Sequence, residues 1–282
     1  MMNAVSVIIC VRNSADTLRM CLESIVGNCP YEIIVVDGNS TDGSYQIALE
    51  YANKVLQDPG RGLSYARGLG VEAARTEYIL HLGPDNVLPV NAISGMMSEL
   101  VQHNYHGIGA RTRVVQRDTV WDKWLDDWWQ YARPEPGPRA IIGTPCLFPK
   151  KVLLKVPFSE KPIMCDDTDL CERLTKLGYR LGLASVVIYD ASRRNWRDIV
   201  TKFVNYGRSD ADYYDLHSPS WVFKRKFQSW CHPLRQTGKG MGWMVRNNKP
   251  ILSILFQVII GMIRYYGWIK TAIARHGWLI KR

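Results

Sequence analysis

The sequence predicts an α/β chain, with a mostly parallel, doubly wound sheet, flanking helices and a C-terminal helical tail of different character. Three observations predict it. Short β-branched apolar runs alternate with helix-period segments through the first half, as expected of strands buried on both faces by crossover helices. The early strands end in polar or turn-rich segments. Finally, the charge is unevenly distributed: from Leu216 onward there are twelve Lys or Arg and no Asp or Glu, whereas the first 215 residues hold 24 basic against 26 acidic groups.

The elements follow in order. VSVIICV (Val5–Val11) is a continuous apolar run and the first strand. Residues 16–28 form a helix with Leu18, Leu22, Ile25 and Val26 on one face, its start capped by Ser14 or Asp16. EIIVVD (Glu32–Asp37) is a second buried strand and runs into the turn sequence GNSTDG. A helix over 44–53, a short strand over 54–56, a helix over 63–74 and the strand YILHL (Tyr78–Leu82) continue the alternation. Ligands of such sheets bind at the carboxyl ends of the strands, which marks Arg12, Asn13, residues 37–42 and residues 83–86. The second half is less regular. Residues 121–131 (WDKWLDDWWQY) form an amphipathic helix with four tryptophans, RPEPGP (133–138) is a loop, 165–177 an acidic-capped helix and 183–189 a strand. No internal repeat is present.

At 46% hydrophobic and 22% charged residues, the composition is globular and excludes a disordered chain. The seven cysteines are odd in number, scattered and without a C-x-x-C pair, which predicts a reduced setting rather than a disulfide framework. The six histidines show no ligand spacing. MMNAVSVIICVRN has no basic n-region ahead of its apolar run, so the first domain is expected in the cytoplasm. The loss of acidic residues sets the expected boundary: a domain over 1–215 and a basic, aromatic-rich helical tail over 216–282.

Five segments occur in one order: VSVIICVRN, EIIVVDGNSTDGS, GLSYARGLGVEAA, EYILHLGPDNVL and CDDTDLCERLTKLGYRLG. Together they resemble the segments of family 2 inverting glycosyltransferases with the GT-A (Rossmann-like) fold, across residues 5–190. The resemblance implies a donor site for a nucleotide-diphosphate sugar of the UDP or GDP type. Val11, Arg12 and Asp37 would border base and ribose, and Arg67 would lie near the base or diphosphate. Asp85 would be the carboxylate that links a magnesium or manganese ion. Asp167 would be the catalytic base, with Asp166, Asp169 and Arg173 supporting it or lying on the acceptor side. Two positions depart from the family pattern. Its D-x-D signature reads Gly83-Pro84-Asp85 here, and the second Asp that usually follows Asp37 is Gly38. One carboxylate can still suffice, because these ions take oxygens from the diphosphate and water. Family members often carry a metal-touching histidine after the late strand, where this chain has Asp190, either a substitute ligand or a plain surface residue.

The chemistry asks for these residue types. Cleavage at the anomeric carbon leaves charge on the diphosphate, which a divalent ion offsets. A hydroxyl acceptor needs a carboxylate to take its proton, typically worth ~10²–10⁴-fold. Asp166, Asp167 and Asp169 also suit the positive end of a helix dipole, and their crowding should raise at least one pKa. The tryptophans of 121–131 would either stack against a sugar or acceptor or pack in a core or on a membrane.

In the tail, PILSILFQVIIGMI (250–263) is apolar, and Arg264 ends it short of the ~20 residues a spanning helix needs; a transmembrane helix over Ile251–Ile269 with Arg264 snorkelling is the alternative. Cations and tryptophans surround it, the makeup of an interfacial anchor on an anionic membrane surface. So long an apolar run argues against nucleic acid as the partner. The expectation is a peripheral or monotopic protein on the cytoplasmic face of the cell membrane, acting on a lipid-linked or glycan acceptor. No Q-x-x-R-W pattern of processive synthases is present. The rival readings are a non-catalytic nucleotide-sugar-binding subunit of a glycan assembly complex, and an adaptor for membrane or nucleic acid.

Overall fold

The computed structural model describes residues 5–159, 165–191 and 195–276. The chain forms two compact units, Met1–Val115 with Arg133–Ser192, and Gln116–Ala132 with Arg193–Arg282.

The first unit begins as the sequence predicts: β1 (Val5–Val11), α1 (Ala15–Val26), β2 (Glu32–Asp37), α2 (Ser44–Tyr51), β3 (Lys54–Gln57), α3 (Leu63–Ala73) and β4 (Tyr78–Leu82). Next come β5 (Asn86–Val87), α4 (Ala92–Gln102) and β6 (Gly107–Val114), then α5 (Val120–Ala132), which belongs to the second unit. The first unit resumes with β7 (Gly137–Pro138), β8 (Cys146–Pro149), α6 (Lys150–Lys155), α7 (Asp166–Lys176) and β9 (Leu181–Asp190). Strands β3, β2, β1 and β4 pair in parallel. β8 then inserts antiparallel between β4 and β6, and β9 lies parallel to β6. The resulting order is β3-β2-β1-β4-β8-β6-β9-β5. CLFP is too short, and with Pro145 before it and Pro149 at its end too proline-bound, for its strand to be read from the pattern. The segment 133–138, expected to be loop throughout, ends in β7, where Gly137 and Pro138 pair with Leu183 and Gly182.

Alternation along β1 divides the core. Val7 and Ile9 face one layer with Leu18 and Leu22 of α1 and Met96 and Leu100 of α4. Ile8 faces the other, with Val71 of α3, Leu153 of α6 and Leu170 and Leu174 of α7. Helices on both faces leave the carboxyl ends of the parallel strands as the open edge.

The second unit is helical: α5, α8 (Trp196–His217), α9 (Phe223–Trp230), α10 (His232–Arg246) and α11 (Ile251–His276). Trp121 packs on Trp196, Trp124 on Phe256, and Trp128 on Phe203 and Tyr206. Trp128 and Trp129 are therefore core of this unit, while Trp121 and Trp124 pack on its rings and remain partly exposed. α8 and α11 meet backbone to backbone: a Cβ on Gly207 would stand 1.9 Å from the Arg264 carbonyl oxygen, and one on Gly267 2.3 Å from that of Val204. Arg264 grips Asp210 with two hydrogen bonds of 2.6 and 2.7 Å. The boundary expected at 215/216 thus falls at the end of α8, inside this unit. Charge marks where the surface changes sign, but α5 and the acidic α8 share their core with the basic tail. The end of the expected basic tail, residues 277–282, lies outside the described residues.

Candidate active site

Two loops are tied together at the carboxyl edge of β1 and β2. The Thr41 backbone N–H donates to Asn13 Oδ1 at 2.8 Å, Ser14 N–H to Ser44 Oγ at 2.8 Å and Ala15 N–H to Asp42 Oδ2 at 3.0 Å. Val11 and Asp37 sit side by side in the register of β1 and β2. Asp37 is buried; its Oδ2 accepts from the Ser40 N–H at 3.1 Å, while Oδ1 has no hydrogen-bond partner. A buried carboxylate oxygen with unmet capacity is suited to a ligand donor such as a ribose hydroxyl or a base N–H. Arg12 is exposed beside it.

The second cluster joins α3, α7 and the loop before β8. Arg67, buried on α3, pairs with Asp166 at 3.1 Å and donates to Thr144 Oγ1 at 2.8 Å. Burial works against the Arg67 charge, but Asp166 and Asp167 more than compensate and keep its pKa above the ordinary arginine value. Burial pushes the Asp166 carboxyl up to about 6, Arg67 pulling against the shift and Asp167 adding to it. Asp166 is therefore a counter-ion as well as a first-turn acid of α7. Asp167 is only partly buried and accepts from the Thr168 N–H at 2.7 Å. A Cβ on Gly143 would lie 2.7 Å from Arg133 Nη2 and 3.0 Å from Asp167 Oδ2, so guanidinium and carboxylate converge over a position only glycine leaves open. Arg133 is held by the carbonyls of Ala110 and Thr144, at 2.6 and 2.8 Å. Arg133, Gly143 and Thr144 were missed from sequence: the first opens a proline-rich loop and none sits at a strand end. Arg173 pairs with Asp169 one helical turn earlier, at 2.9 Å, a brace within α7.

The third group follows β4. Asn86 Oδ1 accepts the Gly83 N–H at 2.8 Å, and the Asp85 carbonyl accepts the Ala191 N–H at 2.8 Å. Asp85 is partly exposed. A Cβ on Gly83 would meet Asp85 Oδ1 at 2.7 Å, so the single carboxylate lies across the place a first signature carboxylate would start from. Pairing of β5 with β9 sets Asn86 opposite Asp190, which is buried. Among the described residues no three His, Cys, Asp or Glu side chains form a metal cluster. His81, buried on β4, is kept well below the ordinary imidazole range by burial and then by Arg67, and stacks edge-on against Phe158.

Comparison with known proteins adds the following. The sequence model described as glycosyl transferase family 2 matches residues 6–157. The cholesterol galactosyltransferase of Borreliella burgdorferi is 39% identical over 89 residues, 29% of this chain and 25% of that protein. Glycosyltransferase AglE of Haloferax volcanii is 25% identical over 234 residues, 75% of this chain and 74% of its own. The match spans about a quarter of the first curated relatives, AglE being the fuller one. Among solved structures, the mannosyltransferase PcManGT from Pyrobaculum calidifontis, in complex with GDP-Man and Mn2+, has a TM-score of 0.66 at 14% identity, covering 98% of this chain and 88% of that one. S. aureus TarS 1-349 in complex with UDP-GlcNAc has a TM-score of 0.54 at 14% identity, covering 99% and 93%. At such identities the likeness shows the fold, a GT-A glycosyltransferase fold.

Proposed function

The chain belongs to glycosyl transferase family 2, and from that premise we propose that it moves a sugar, with inversion, from a nucleotide-diphosphate sugar to a lipid-linked or glycan acceptor. The observation that carries the reading is the division of labour between neighbouring carboxylates. Asp166 is spent on Arg67, while Asp167 is partly exposed over Gly143 beside Arg133. In the proposed step the acceptor oxygen attacks the anomeric carbon, the bond from that carbon to the diphosphate breaks, and a hydroxyl acceptor's proton passes to Asp167. A polyprenyl phosphate acceptor is already ionised, and Asp167 would then orient it. Asp37 and Arg12 would receive the nucleoside, and Arg67 would lend positive potential near the diphosphate. Magnesium or manganese, held through Asp85, would supply charge to the leaving group. The ligands of the two solved relatives, GDP-Man with Mn2+ and UDP-GlcNAc, support a GDP- or UDP-type donor. A relative that is a cholesterol galactosyltransferase and the cationic tail support an acceptor at the cytoplasmic face of the membrane, with the chain peripheral or monotopic.

Asp85→Ala is expected to abolish the manganese-dependent part of nucleotide-diphosphate binding, read by calorimetry with and without the ion. Equal affinities in mutant and wild type with manganese present would remove Asp85 from the metal site. The alternative, a non-catalytic nucleotide-sugar-binding subunit, rests on Gly83 in place of the first signature carboxylate. It predicts donor binding without turnover or donor hydrolysis.

A further inference from the structure

One face of α11 is exposed and apolar over most of its length. Leu255, Ile259, Met262, Tyr266, Ile269 and Ile273 recur at intervals of three and four and are all at least 36% exposed. At 1.5 Å per residue they extend over about 27 Å as one stripe. The helix is long and apolar enough to cross a membrane. Its opposite face argues against crossing. Ser253 and Gln257 are buried there, Arg264 is clamped to Asp210, and Arg275 pairs with Asp212 and Asp215. These carboxylates belong to α8, which touches α11 backbone to backbone at Gly207 and Gly267. A spanning α11 would draw the aspartates of α8 into hydrocarbon or tear the pair apart, and either is costly.

We propose that α11 lies in the plane of an anionic membrane, inserting this stripe into the headgroup boundary while its other face stays packed on α8. Charge selects the occupant. Residues 216–282 contain no acid, and Lys224, Arg225, Arg235, Lys239, Arg246 and Lys270 are exposed. A second copy of the chain would bring the same cations together, whereas anionic lipid neutralises them. The inference deepens the membrane placement proposed above and rests on it, but not on the donor chemistry.

The test uses the full chain and phosphatidylcholine vesicles with and without phosphatidylglycerol. Wild type is expected to sediment with the anionic vesicles, to remain there in high salt and to be released by detergent. Leu255→Glu/Met262→Glu should partition at least tenfold more weakly, with thermal unfolding unchanged because both side chains are exposed. Leu255→Ser/Met262→Ser should show the same direction of change without adding charge. Undiminished partition of folded variants would overturn the proposal. So would a wild-type dimer that the variants dissociate, or a C-terminal tag that protease reaches only from the vesicle lumen. Binding of UDP- and GDP-sugars, measured on the same samples, reports separately on the enzymatic reading: its loss would sink that reading and leave the stripe standing.

Discussion

Asp167→Asn is expected to lower turnover by roughly 10²-fold or more while donor affinity stays within about twofold. The amide keeps the size of the side chain and can still accept from the Thr168 N–H, 2.7 Å away in the structure. It cannot take the acceptor's proton. The loss should therefore fall on kcat, and it applies to a hydroxyl acceptor. With a phosphate acceptor the same change should be mild, so the size of the effect also classifies the acceptor. Asp166→Asn makes the contrast. It removes the counter-ion of Arg67, so its cost should appear in stability and donor binding before it appears in the chemical step. If Asp167→Asn and Asp166→Asn lose kcat equally on a hydroxyl acceptor with stability unchanged in both, Asp167 is not the base.

The parallel half of the sheet was legible because each of its strands is a continuous apolar run, and Val5–Val11 and Glu32–Asp37 need no partner to be read as buried. The carboxyl-edge residues followed from that reading. β8 was not legible, because a four-residue strand that follows one proline and ends in another carries no period, and it is the strand that turns the sheet from parallel to mixed. Motif order singles out Asp167 and Asp85 as candidates, but the partners that surround them leave no such signal. Arg133 reaches Thr144 from a separate loop, and nothing in the spacing of RPEPGP announces it. Asp166 was read as a helix-dipole acid because its partner lies 99 positions away on α3. The tail's charge was visible at once. Its packing was not: small residues such as Gly207 and Gly267, whose contacts fix α8 to α11, leave no hydrophobic signal.

The Arg67–Asp166 pair carries the largest expected stability effect. Both side chains are nearly fully buried, and the pair joins α3 to α7 on one face of the sheet. Arg67→Met leaves the buried Asp166 without its counter-ion, a change that typically costs about 3–5 kcal/mol. Arg67→Met/Asp166→Leu should recover most of the loss, since well-packed apolar replacements of buried ion pairs are often neutral or better. The pH dependence fixes the cause. Burial raises Asp166 to about 6 in the folded state, against roughly 3.9 for a free aspartate. A raised folded pKa means the folded protein holds the proton more tightly. The group's contribution is therefore fully present below about pH 4 and is lost as pH rises through 6. Removing Arg67 takes away the charge that opposes this shift, so the pKa rises further and the window moves upward. In urea unfolding at pH 5 and pH 8, Arg67→Met should accordingly be much less destabilised at pH 5, where a protonated Asp166 needs no counter-ion. An equal loss at both values would mean that Arg67 stabilises through its packing on Phe158 and its bond to Thr144, and not through Asp166.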